Sequence, residues 1–279
     1  MTIQWFPGHM AKAQREISER LNAVDMVIEL RDCRIPEASR NPLLDKLCLQ
    51  KPRLIILTKK DKADPLETEK WLNALNRSGK ALAFDLNEDR VITPITQACL
   101  ELMKTKHDRL KARGVNPRAV RALVIGIPNV GKSTLINRLS KRRVADTANR
   151  PGVTRALKLV TVNRDLELID TPGVLWPKFN NELTGIYLAI TGAIKDDILP
   201  NERLAVFGIE TLIHRYPERL EKRYGVINET DPYAIIRQIG IRRGFLLNGE
   251  VDQKRTIDTL LKEMRADDLG RITWEVFHE

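Results

Sequence analysis

From residue 9 to about 177 the chain alternates between two spacings of apolar residues. Residues 10–22 carry Ala11, Ile17 and Leu21 among charged neighbours, the spacing of one buried helical face. Residues 25–30 (DMVIEL) and 53–57 (RLIIL) are short apolar runs, as expected of strands covered on both sides. The pattern then predicts a helix over 67–76, a short strand over 81–84, and a helix over 95–113 ending near Gly114. A strand over 122–125 runs into a glycine loop and a helix from Lys132 to about Leu139. Two more strands, 157–162 and 166–170, flank a turn at Asn163-Arg164-Asp165. This alternation predicts an α/β domain with a mostly parallel sheet over residues 1–177.

After Trp176-Pro177 helical spacing takes over. Leu183, Ile186, Tyr187 and Ile190 share one face, as do Leu204, Phe207, Ile209 and Leu212. Pro217, Gly225, Gly240, Gly244 and Gly249 interrupt the stretch, so four or five short helices are expected in a small all-α domain over 178–279. No apolar run reaches the length of a membrane span.

Chemistry concentrates in four short motifs. Gly126-Ile-Pro128-Asn129-Val130-Gly131-Lys132-Ser133 matches the phosphate-binding loop and lies between a strand and a helix, as that loop requires. Its glycines let backbone N–H groups turn inward on phosphates, and the helix from Lys132 adds a positive N-terminus. Lys132 would bridge the β- and γ-phosphates, Ser133 would ligate Mg²⁺, and Thr134 extends the nucleotide contact. Asp170-Thr-Pro-Gly173 follows a strand; Asp170 suits Mg²⁺ and the Gly173 N–H suits the γ-phosphate. Arg150-Pro-Gly-Val-Thr154 lies between them, and Thr154 is either a switch-loop ligand of Mg²⁺ and the γ-phosphate or part of a simple turn. Thr58-Lys59-Lys60-Asp61 follows the 53–57 strand. There the Asp61 carboxylate can accept from guanine N1–H and N2–H₂, a donor pair adenine lacks, while the Lys59 stem lies along the base.

The composition adds a partner class. The chain has 279 residues, 42% hydrophobic and 30% charged, with a net charge of +10. Lys104, Lys106, Arg109, Lys111, Arg113, Arg118 and Arg121 cluster before the phosphate loop. Lys141-Arg142-Arg143 follow its helix, and Arg237, Arg242 and Arg243 come later. Three clusters favour an RNA surface met through shape and phosphates, although solvated helix faces account for some of these residues. Cys33, Cys48 and Cys99 show no C-x-x-C pairing, and the four histidines no metal-ligand spacing, so reduced thiols and a cytoplasmic location are expected. The first residues lack the character of a secretory leader.

These motifs resemble those of the translation-factor class of GTPases, but in permuted order: TKKD at 58–61, GIPNVGKS at 126–133, PGVT at 151–154, DTPG at 170–173. With Trp5-Phe-Pro-Gly-His-Met10, Asp32-Cys-Arg-Ile-Pro36 and Gly270-Arg-Ile-Thr273, the chain is similar to the circularly permuted GTPases of the ribosome biogenesis GTPase A family. The resemblance spans the whole chain. It implies a P-loop fold, GTP and GDP as ligands, Mg²⁺, and a maturing large ribosomal subunit as partner, with no DNA or membrane partner and a monomeric chain. It also points to His9 as the residue that handles the attacking water, because Val174 and Leu175 follow DTPG where many GTPases carry Gln. The alternative is that His9 only caps the helix beginning near Met10. In related GTPases an Asn at the place of Asn129 helps hold K⁺. Thr58 stands where Asn is commoner, which puts one polar contact near the base in doubt, and no S-A-K sequence is recognisable at Asp85–Asn87. The implied reaction is GTP hydrolysis, slow alone and stimulated by the ribosomal subunit. Action on tRNA or another small RNA, and a nucleotide-gated RNA-binding module with little turnover, are the competing readings.

Overall fold

The computed structural model describes residue 15 and residues 17–87, 90–140, 159–169, 181–194, 198–225 and 229–278. The chain divides into two units, one of residues 1–179 with 275–279, the other of residues 180–274.

In the first unit, β1 (Met26–Asp32) is buried along its whole length, including Glu29, Arg31 and Asp32, whose charges are paired as Arg31–Glu29 and Arg34–Asp32. A short helix α1 (Pro42–Leu47) leads to β2 (Arg53–Thr58), and a 3₁₀ turn follows at Lys60–Lys62. Helix α2 (Pro65–Ser78) begins where Asp64 accepts the Leu66 N–H and Pro65 fills the first turn, whose missing N–H costs nothing there. Its Trp71, Leu72 and Leu75 pack on Cys33, Leu57 and Ala63. β3 (Lys80–Ala83), α3 (Ile92–Ala112), β4 (Val120–Gly126) and α4 (Lys132–Ser140) follow. β5 (Leu159–Thr161) and β6 (Leu166–Ile169) complete the sheet.

The strand order is β3-β2-β1-β4-β6-β5. All neighbours are parallel except β5 on β6, as the sequence predicts for a mostly parallel sheet. The chain starts in the middle, moves out through β2 to β3, then returns to place β4 on the other side of β1. That reversal puts a crevice beyond the carboxyl ends of β1 and β4, where open α/β sheets bind ligands. Ile17 and Leu21 on one side of the sheet share a core with Val27, Leu123, Ile125 and Ile169.

The second unit holds α5 (Glu182–Ile190), α6 (Asn201–Arg215), α7 (Pro217–Tyr224), α8 (Pro232–Arg242) and α9 (Gln253–Ala266). Leu188, Ile190, Leu204, Ile209, Leu212, Ile239, Leu260 and Leu261 are buried within it, matching the apolar helix faces. Glu263 is buried but compensated: Arg223, Arg243 and the Tyr224 hydroxyl all bond its carboxylate. An all-α segment was expected here, yet β7 (Leu246–Leu247) and β8 (Glu250–Val251) form a small antiparallel hairpin. Asn248 and Gly249, both with positive φ, make its turn, the Asn-Gly pairing that such hairpins favour. Two-residue strands leave no alternation to detect, so only the turn marked them.

The last segment also departs from the sequence-based division. Residues 275–278 belong with the first unit, not with the helices that precede them. The Glu275 carboxylate accepts the Glu37 and Ala38 N–H groups at 2.7 and 2.9 Å. Trp71 Nε1 donates to the Glu275 carbonyl, and Phe277 packs edge-on against the Trp71 ring at 5.2 Å. Among the described residues no helix is long and apolar enough to cross a membrane.

Candidate nucleotide site

The phosphate loop leaves β4 at Gly126 in a conformation that a side chain would oppose. Its φ is +156°, and a Cβ there would lie 2.8 Å from the Leu30 carbonyl of β1. Gly131, at φ +102°, closes the loop against Leu86. Asn129 between them is also left-handed, at φ +57°, a region Asn tolerates better than most residues. Ile127, Pro128 and Val130 are buried, while Ser133 and Thr134, in the first turn of α4, are more exposed. The helix starts with Leu135 N–H on the Gly131 carbonyl. Lys132 is buried, and its ammonium reaches back across the loop to the Ile127 and Gly126 carbonyls at 2.7 and 3.2 Å. A buried lysine drawn over a ring of backbone dipoles is placed to meet phosphate charge.

The guanine motif is fastened to this loop. Thr58 ends β2 fully buried, with its hydroxyl 2.6 Å from the Val130 carbonyl and 3.1 Å from the Arg31 carbonyl. The side chain expected to sit near the base therefore joins the TKKD turn to the phosphate loop. Lys59 follows in a left-handed conformation, φ +59°, and its ammonium meets the Asp32 carboxylate at 2.8 Å. Asp61 lies in the 3₁₀ turn beyond it, half-buried at the same end of the sheet. The Lys60 N–H donates to the Phe84 carbonyl, and the Phe84 N–H to the Leu57 carbonyl. The Arg138 guanidinium of α4 donates to the Asn87 carbonyl. Phe84–Asn87 thus lies between the guanine motif and α4, although its sequence carried no S-A-K signature.

The Asp32-Cys-Arg-Ile-Pro36 segment, singled out in the sequence without a role, holds these pieces together. Asp32 is fully buried and accepts the Arg34 N–H, Nε and Nη2 besides Lys59. Burial alone would raise its pKa, but the charges of Arg34 and Lys59 and their hydrogen bonds outweigh it, so its carboxyl lies well below the usual range. Burial also pulls Lys59 below its ordinary value, against the opposing charge of Asp32. Cys33 N–H bonds the Thr58 carbonyl, so the turns after β1 and β2 share backbone contacts as well.

Of the residues expected in the site, the structure brings together Thr58, Lys59, Asp61, Gly126, Pro128, Asn129, Val130, Gly131, Lys132, Ser133 and Thr134. His9, Thr154, Asp170 and Gly173 lie outside the described residues, as do Lys141-Arg142-Arg143. β6 ends at Ile169, paired with Leu123 of β4, so the strand that leads to Asp170 runs beside the phosphate-loop strand. Several expected RNA-facing cations have local partners. Lys106 and Arg118 pair with Asp25, Arg121 with Glu167 and Arg243 with Glu263, while Arg242 bonds the Tyr224 carbonyl.

Comparison with known proteins agrees with this geometry. A family described as 50S ribosome-binding GTPase matches residues 121–228. "Ribosome biogenesis GTPase A" of Priestia megaterium is 49% identical over 99% of this chain and 97% of its own length. The Bacillus licheniformis protein of that name is 48% identical over 99% and 98%. "Mitochondrial ribosome-associated GTPase 1" of Mus musculus is 35% identical over 83% of this chain and 71% of its own. Among solved structures, a GDP-bound TM YlqF is 25% identical, covering 94% of this chain and 99% of that one, with a TM-score of 0.65. GNP-bound YlqF from T. maritima, 23% identical with a TM-score of 0.64, shares the fold.

Proposed function

The chain belongs to the ribosome biogenesis GTPase A family, and from that premise we propose that this GTPase turns over on a maturing large ribosomal subunit, binding its rRNA in a nucleotide-dependent way. The observation that carries the reading is the Thr58–Val130 bond, which makes the base-reading turn and the phosphate loop one body. A guanine held by Asp61 and a triphosphate held by the 126–133 loop then share one rigid frame.

Within that frame Lys132 bridges the β- and γ-phosphates and draws off charge as the γ-phosphoryl leaves. Ser133 at the start of α4 fits a Mg²⁺ ligand: its hydroxyl is one residue beyond the phosphate-facing lysine, and Thr154 and Asp170 complete the donor set. Held there, Mg²⁺ would supply positive charge to offset the negative charge developing on the phosphates. Asn129 adds a K⁺ ligand beside the phosphates, the Gly173 N–H senses the γ-phosphate, and His9 orients the attacking water. The helical segment after about residue 178 makes the ribosomal contact. The working form is a cytoplasmic monomer.

The test is steady-state turnover of the full chain in K⁺ and in Na⁺, with and without purified large subunits, beside His9→Ala. Stimulation by subunits that His9→Ala loses, with GTP affinity kept, is the expected result. Turnover indifferent to subunits in both salts would refute it.

A further inference from the structure

At the end of the sheet opposite the nucleotide motifs, the last turns of α3 border a groove of about 560 Å³ beside the starts of β1 and β2. Lys51, Lys106, Arg109 and Arg113 line it, with Leu102 and Leu110 as apolar wall. Asp25 is the one carboxylate among the described lining residues, and it is already engaged. It accepts the Arg121 N–H at 2.9 Å, Lys106 Nζ at 2.7 Å and an Arg118 nitrogen at 2.9 Å. Lys51 Nζ donates to the Val24 carbonyl. Arg109 and Arg113 are exposed and meet no carboxylate among the described residues.

An ordinary solvated face explains this poorly. Arg109 and Arg113 stand one helical turn apart, where like charges destabilise a helix by a few tenths of a kcal/mol. The negative end of the helix compensates cations in its last turn. It does not account for Lys51, which comes from another element and faces the same space, while Lys106 is matched by Asp25. Beyond the Lys106–Asp25 pair, three cations (Lys51, Arg109 and Arg113) line the groove with no carboxylate of its lining left for them, and that surplus is complementary to a polyanion. Planar guanidiniums beside an apolar wall suit an RNA backbone, whose phosphates take paired N–H donors.

The location adds a second point. β1 spans seven residues, so its two ends are about 20 Å apart at roughly 3.3 Å per residue. The groove lies at one end of a rigid parallel sheet, the phosphate loop and guanine motif at the other. None of the nucleotide motifs contributes to the lining. We propose that this groove is an RNA-phosphate anchor whose grip is the same whichever guanine nucleotide is bound. The inference rests on the reading that the chain acts on rRNA, and it separates a constant contact from the nucleotide-dependent one.

The test uses the full chain, Arg109→Ala/Arg113→Ala, and a control pair, Lys46→Ala/Arg77→Ala, two exposed cations outside the groove. Binding is measured to purified large subunits and to protein-free large-subunit rRNA, over a KCl series, with GDP and with a non-hydrolysable GTP analogue. The double variant should bind about tenfold more weakly and lose about two from the slope of log affinity against log salt. The loss should be the same factor with GDP and with the analogue, and GTP affinity should be unchanged. Lys51→Gln should repeat the loss at smaller size. Wild-type affinity and slope in the double variant, or an equal loss in the control pair, would overturn the anchor. A factor that differs between nucleotides would overturn its independence. A loss seen on subunits but not on protein-free rRNA would assign the groove to a protein partner. If the wild-type chain ignores subunits while the groove variant still loses rRNA affinity, the function proposed above falls and the anchor stands.

Discussion

Thr58→Val removes one hydroxyl and keeps the side-chain shape. In the folded chain that hydroxyl lies 2.6 Å from the Val130 carbonyl at a fully buried position. Valine would leave a buried carbonyl without this donor, which costs about 1–3 kcal/mol. For a unit of this size each kcal/mol lowers Tm by about 2–4 °C, so a fall of about 2–12 °C is expected. In the proposed site the same bond would let Asp61 and Lys132 hold one nucleotide without slack. Its loss should weaken GTP and GDP together, by about fivefold if ~1 kcal/mol of ordering must be supplied on binding. The preference for guanine over adenine should survive, because Asp61 is untouched. Fluorescent-nucleotide titration and thermal unfolding of Thr58→Val and Thr58→Ser read both effects, with serine restoring most of each. A valine variant with wild-type Tm and affinities, or a serine variant no better than valine, would refute the argument that this hydroxyl joins the two motifs.

Three other perturbations test the same site. Asp32→Asn leaves Arg34 and Lys59 without their charge partner and should destabilise the first unit by about 3–5 kcal/mol at neutral pH. Because the Asp32 carboxyl is held below its unfolded value, its contribution is present above about pH 4 and lost as pH falls below that, so the asparagine variant should show a flatter acid limb in unfolding against pH. Asp61→Asn offers an amide N–H where guanine presents N2–H₂; competition binding should show GTP weakened and the 2-oxo purine XTP strengthened, and an unchanged order would remove Asp61 from base reading. The Glu275 carboxyl is pushed up to about 7 by burial and the nearby Glu37 charge, against the Ala38 and Glu37 N–H groups and Arg31. A raised carboxyl favours the docked tail below the unfolded value of about 4.3 and weakens it as pH rises to about 7. Hydrogen-exchange protection of the Phe277 N–H, which bonds Glu67, should therefore fall over that window in the wild type and not in Glu275→Gln; equal profiles would show that Glu275 does not control the docking.

The sequence-legible parts are those whose causes are local. The phosphate loop declares itself because Gly126, Asn129 and Gly131 adopt backbone angles that few other residues allow, between an apolar strand and a helix start. β1 is legible only from its Met26-Val27-Ile28 stretch, because Glu29, Arg31 and Asp32 are buried in the same strand. What escaped depends on partners far along the chain. Thr58 reads as a base contact until Val130, 72 residues away, is seen to take its hydroxyl. The Asp32 carboxylate meets a lysine 27 positions on, and Glu275 meets Ala38 across 237. The Asn248-Gly249 turn was written in the chain, but the strands it joins are too short to carry a period.

These distant contacts also explain why a permuted motif order leaves the site intact. β2 and β4, which carry the guanine and phosphate motifs, are not neighbours; β1 lies between them. β1 and the turn after it hold both motifs in place beside the direct Thr58–Val130 bond, and their contacts run both ways. Toward β2, Asp32 holds Lys59 and the Cys33 N–H holds the Thr58 carbonyl. Toward β4, the Leu30 carbonyl lies so close that residue 126 can carry no Cβ. A parallel sheet presents every strand's carboxyl end to the same edge, whatever order the chain visits them. The geometry of the site is thus set by which strands are adjacent in space. The order of the motifs in sequence decides only which segments are left to connect them.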